Sequence, residues 1–184
     1  AEVNYLIFIS QHRALKNIVS LDKKDQQKLE KIYSNFDQKE YNEVKRIETK
    51  TKHDVSAVIQ YLSKKVEKNV SRALVPWVHF GLTSEDINSA AYSLMIKEAV
   101  QSSMLKTLEK LSGALKKLVS QNKGFPMLAL THGQPATTTT LGKEMAVFHA
   151  RLSRQVEQLK KHELLAKFSG ATGTLAAHKV AFPK

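Results

Sequence analysis

The chain has 184 residues, 42% of them hydrophobic, with only 7 glycines and 4 prolines. That composition predicts a folded protein with room for long helices and excludes wholesale disorder. Cysteine is absent, which excludes a disulfide framework and thiolate chemistry and fits a cytoplasmic setting. Lys and Arg exceed Asp and Glu by 29 to 17, a net charge of +12 that attracts anions. The cations come as scattered pairs such as Lys45-Arg46 and Lys116-Lys117, the pattern of solvated helix faces, with no aromatic-plus-basic strip for single-stranded nucleic acid. No apolar run reaches a membrane span, and the short apolar start lacks the marks of a signal peptide.

In chain order, residues 3–18 are predicted to form one helix. Asp22 reads as the cap of a second, with Leu29, Ile32, Tyr33 and Phe36 on one face. A third run carries Tyr41, Val44 and Ile47. A fourth carries Val55, Val58, Leu62 and Val66, with Asp54 as its expected cap and His53 at the junction. Residues 73–80, with Pro76 and the single tryptophan, Trp77, read as a buried connector.

Thr83-Ser84-Glu85-Asp86 has a capping-box pattern and opens a long helix over about 85–121, some 55 Å at the helical rise. The hydroxyls and free amides at its start suit a carboxylate or phosphate, although simple capping explains the same residues. Gly124 is the expected C-cap. His132 follows, in Leu130-Thr131-His132-Gly133-Gln134-Pro135. Gly133 and Pro135 forbid a regular helix, so His132 is placed on a tight loop between ordered elements, a common position for a chemical side chain. Another long helix runs from about Leu141 towards Phe168 and ends in the turn Ser169-Gly170-Ala171-Thr172-Gly173. Its glycines can bring amides to an anion, but the spacing is not that of a nucleotide-triphosphate loop. No strand alternation of useful length is visible.

The fold expected is all-α: an N-terminal helical domain over 1–80, then the first long helices of an extended bundle over 81–184. Thr51-Lys52-His53-Asp54-Val55, Leu82-Thr83-Ser84-Glu85-Asp86 and Thr131-His132-Gly133-Gln134-Pro135-Ala136 together resemble the adenylosuccinate lyase family of the fumarase/aspartase superfamily. Gly142-Lys143-Glu144-Met145 and the glycine turn at 169–173 extend the likeness.

The resemblance implies β-elimination of fumarate from a succinylated purine nucleotide, without metal or other cofactor. It implies His132 as general acid, and His53 as catalytic and substrate-orienting, flanked by Lys52 and Asp54. Thr83 and Ser84 are implied as the substrate-binding hydroxyls, Gln134 as an amide contact, and His79 as a nearby histidine of open role. It also implies a homotetramer, with sites assembled from several subunits, and neither nucleic acid nor membrane as partner. The family's glycine-serine-serine loop, which carries the base, is not in this sequence, nor is its N-terminal arginine-tyrosine phosphate contact. The chain therefore reads as a piece of the enzyme and is expected to be inactive alone. Two alternatives are another lyase of the superfamily and, on charge alone, a basic helical protein that binds nucleic acid or scaffolds partners.

Overall fold

A computed structural model describes residues 1–12, 15 and 17–183. The chain divides into two compact units, one of residues 1–92 with 166–184, the other of residues 93–165.

The first unit begins with α1 (Glu2–Gln11), which places Val3, Leu6 and Ile9 in the core. The helix expected to reach residue 18 stops at Gln11, with His12 extended; residues 13, 14 and 16 of that expectation lie outside the described residues. Beyond the stop, Ile18 and Leu21 turn into the core, and burial of two large aliphatic side chains outweighs an uninterrupted helical propensity.

Next come α2 (Lys23–Ser34), α3 (Gln38–Thr51) and α4 (Asp54–Asn69). Asp22 caps α2 by accepting the Asp25 amide, and Asp37 caps α3 by accepting that of Glu40. Leu29 and Ile32, Val44 and Ile47, and Ala57, Leu62 and Val66 supply the buried faces. Tyr33 and Phe36, expected beside Leu29, are about half exposed; Phe36 meets the Tyr61 ring in a T-shaped contact. A short 3-10 turn, Arg72–Trp77, buries Leu74 completely and sets Trp77 against Phe80 with the rings tilted 49° and 4.8 Å apart.

The long helical rod is present with one irregularity. After α5 (Ser84–Ala99) comes a π-helical stretch, Val100–Met104, and then α6 (Leu105–Gln121). The Leu105 amide donates to Val100 O, five residues back, which marks an inserted residue. α6 ends at Gln121, where the Asn122 side chain bonds Leu118 O. Gly124 is not the C-cap, because Asn122 meets the terminal carbonyl itself.

Within the second unit, α6 packs against α7 (Leu141–Lys161). Gly142 is required there, since a Cβ would lie 2.6 Å from Lys123 Cα. The helix expected to reach Phe168 ends at Lys161, with His162 extended. The stretch after it is held by serines of α5: Ser93 Oγ donates to Leu165 O, and Ser89 Oγ bonds both N and O of Lys167. Six residues, Ala176–Ala181, form α8.

One element escaped sequence reasoning. Between α6 and α7 the chain forms an antiparallel hairpin, β1 (Pro126–Thr131) with β2 (Gln134–Thr140), irregular in register between Leu128 and Leu130. The fold is otherwise helical, as expected.

Candidate functional site

His53 occupies the cap of α4, the role expected of Asp54. Its Nδ1 accepts the Ser56 amide at 3.3 Å, while Asp54 enters the first turn and accepts the Val55 amide. With Nδ1 accepting, the neutral ring carries its proton on Nε2. That atom lies 3.5 Å from Ser84 Oγ, across 31 positions of sequence. Asp54 Oδ1 stands 3.3 Å from Nδ1, so a protonated ring has a carboxylate beside it. Lys52, just before, closes α3 in the left-handed region with φ of 55°.

The start of α5 settles how its capping works. Asp86 reaches back, and its Oδ2 accepts the Thr83 amide at 2.9 Å. The Thr83 hydroxyl takes no part and has no partner among the described residues. Capping therefore does not account for the hydroxyl. Ser84 Oγ, the next residue's hydroxyl, is the one that stands beside the proton-bearing end of His53.

Asp86 is the electrostatic centre of this region. Its carboxylate accepts Lys167 Nζ at 2.7 Å, Ser169 N at 2.9 Å and Gly170 N at 3.1 Å, besides Thr83 N. Burial alone would push the carboxyl up. The Lys167 ammonium and the amides outweigh it and lower the pKa to about 2. The glycine turn thus does bring amides to an anion, and in this structure the anion is the Asp86 side chain.

His79 stands on the turn leading into α5, with a left-handed φ of 62°. Its Nδ1 meets Glu2 Oε1 at 2.5 Å. The neighbouring Phe80 carbonyl accepts the Tyr5 hydroxyl at 2.8 Å, so α1 holds the turn at two points. Burial first, then the charges of Glu2 and Asp86, raises the Tyr5 hydroxyl to about 12, so it remains a donor.

His132 and Gln134 belong to the second unit. His132 and Gly133 form the two-residue tip of the hairpin, with φ of 50° and 74°. Positive φ at both centres defines the twisted turn that joins tight hairpins, and histidine tolerates it better than most residues. Gln134 opens β2 opposite Thr131. Both side chains are exposed.

Among the described residues, four non-glycine positions have positive φ: Lys52, His79, His132 and Leu175. Three of the four are residues the motifs single out, and strained backbone of this kind collects at functional sites. The structure thus brings His53 and Ser84 together in the first unit, with Thr83 next in the chain, and has His132 and Gln134 in the second. Sequence reasoning missed Lys167 and Glu2, whose partners lie 81 and 77 positions away. No cluster of three metal-ligating side chains occurs among the described residues.

A sequence model of the lyase family matches residues 1–183. The chain is 39% identical over its whole length to the adenylosuccinate lyase of Legionella pneumophila (strain Corby), covering 40% of that protein. To the adenylosuccinate lyase of Escherichia coli (strain K12) it is 38% identical, again over 100% of the chain and 40% of the relative. The chain therefore spans about two-fifths of the length of these relatives. Among solved structures, the 3-carboxy-cis,cis-muconate lactonizing enzyme from Pseudomonas putida superposes with a TM-score of 0.73 at 21% identity, over 97% of the chain and 40% of that protein. A fumarate lyase from Mesorhizobium sp. BNC1 gives 0.70 at 22% identity, over 95% and 41%. These two likenesses concern the fold.

Proposed function

Because the chain belongs to the lyase family, we propose that the protein carrying it is an adenylosuccinate lyase. It cleaves adenylosuccinate to AMP and fumarate, and the succinyl-carboxamide ribotide in the same way. The observation that carries this reading is the placing of His53 Nε2 beside Ser84 Oγ, with the Thr83 hydroxyl left out of the helix cap. These are donors around a helix start whose amide dipoles favour an anion. The names of the relatives support the substrate.

In the reaction, a base removes a proton from the carbon beside a carboxylate of the succinyl group. The carbon–nitrogen bond breaks, and an acid returns a proton to the departing nitrogen. His132 is the proposed acid: it is exposed on a two-residue turn between paired strands. His53, Thr83 and Ser84 hold the substrate, with Lys52 and Asp54 flanking and Gln134 as an amide contact. No metal or other cofactor is assigned to the chemistry.

Assembly is part of the proposal. In the second unit no residue of α6 is buried, and Leu111, Leu118 and Phe148 are 49%, 43% and 54% exposed. Apolar residues at helical spacing with nothing over them call for a cover. The cover proposed is further copies of the same chain, four in all. No helix among the described residues is long and apolar enough to cross a membrane, and a cytoplasmic site of action is proposed with the purine chemistry.

Fumarate release from adenylosuccinate by the longer protein, of the relatives' length, tests the reading; absence of turnover overturns it. The 184 residues alone are expected to release none, because they supply an acid without the family's serine base.

A further inference from the structure

We propose that Glu2 is a positioning residue for His79: it commits Nδ1 of the imidazole and leaves Nε2 as the end that meets the substrate's anionic group. The functional half rests on the lyase reading above; the geometric half stands without it.

Glu2 lies in the first turn of α1, and its side chain is 5% exposed. Oε1 lies 2.5 Å from His79 Nδ1, and Oε2 is buried with no partner. A buried carboxylate satisfied on one oxygen is costly. Its neighbours on the helix, Val3 and Leu6, are core aliphatics, and an aliphatic residue in its place would avoid that cost. His79 adds a second cost, a left-handed backbone in a residue with a Cβ. Two unfavourable features meet at one contact, so stability does not explain the pair.

Orientation does. The Tyr5 bond to Phe80 O and the Leu82 amide bond to His79 O, at 2.8 and 3.2 Å, fix the backbone on both sides. Glu2 then removes the remaining freedom of the ring. Thr83, with its unused hydroxyl, follows four positions later, on the same turn into α5. With Nδ1 given to the carboxylate, Nε2 has no partner among the described residues. In the imidazolium form, with Glu2 as counter-ion, Nε2–H is a donor to an anion at the start of α5.

Two variants test the inference. Glu2→Gln keeps an oxygen for Nδ1–H, and Glu2→Leu fills the space without one. Long-range proton–nitrogen correlation on the 184-residue chain should show His79 Nδ1 protonated in the parent and in Glu2→Gln, and Nδ1 bare in Glu2→Leu. A bare Nδ1 in the parent, or a retained Nδ1–H in Glu2→Leu, overturns the geometric claim.

In the longer protein, KM for adenylosuccinate should rise in the order parent, Glu2→Gln, Glu2→Leu. The last step should reach about tenfold with a smaller change in kcat, while Glu2→Leu keeps or raises the thermal midpoint. An unchanged KM in Glu2→Leu overturns the functional claim. Failure of the lyase reading would look different: no fumarate from the unsubstituted protein, with the nitrogen spectra unaffected.

Discussion

Lys167 Nζ lies 2.7 Å from Asp86 Oδ1, and Asp86 Oδ2 in turn accepts the amide of Thr83. A cation far along the chain thereby fixes the residue that frees the Thr83 hydroxyl. The Asp86 carboxyl falls from its ordinary 3.8 to about 2. A depressed carboxylate stabilises the fold above its unfolded pKa. That contribution, roughly 2 kcal/mol from the shift, should be complete at neutral pH, fade below about pH 4 and be gone near pH 2. Urea unfolding of the parent and Asp86→Asn across that range checks it: the parent's extra acid sensitivity should vanish in the variant. Lys167→Met leaves a buried carboxylate without its cation and should cost about 3 kcal/mol or more at pH 7.

His53 both caps α4 and faces Ser84, and asparagine separates the two duties. Asparagine is among the best capping residues. His53→Asn should therefore leave the thermal midpoint nearly unchanged while the longer protein loses turnover and substrate affinity. A variant that keeps normal turnover would remove His53 from the chemistry.

At the hairpin tip the substitutions diverge. His132→Gly relieves a left-handed backbone and should stabilise the strands by about 1 kcal/mol, seen as slower hydrogen exchange of the paired Thr131 and Gln134 amides. The same change should cut turnover of the longer protein a hundredfold or more, about the worth of a general acid. Gly133→Val should loosen the hairpin instead, because φ of 74° excludes a branched side chain.

Placing a charge on the exposed apolar faces should block assembly. Leu111→Glu with Phe148→Glu is expected to lower the sedimenting mass of the longer protein from that of the proposed tetramer to smaller species with helix content retained. An unchanged tetramer would place the interface elsewhere.

What sequence could reveal here follows the range of the interactions. Helices α2, α3 and α4 were legible because the aliphatics repeat at helical spacing, and α2 also because Asp22 caps it locally. The proposed site residues His53, Thr83, Ser84 and His132 come from the three motif blocks through resemblance. The hairpin was hidden: Pro126–Leu130 is a short apolar run with no clean alternation, and the β-branched Thr137–Thr140 looked like the approach to a helix. The cap at His53 was missed because an imidazole nitrogen is an uncommon capping acceptor. Glu2 and Lys167 had no local signal at all, since each acts on a residue far away in the chain.

The π-helical stretch at Val100–Met104 adds one residue to an otherwise regular rod. One residue is about 100° of turn, so the greasy stripe carried by Leu94 and Met95 points along a different compass bearing from that of Leu111 and Leu118 beyond the insertion. A single rod can then be gripped from two sides, and deleting one residue there should realign the stripes and strand one of its neighbours.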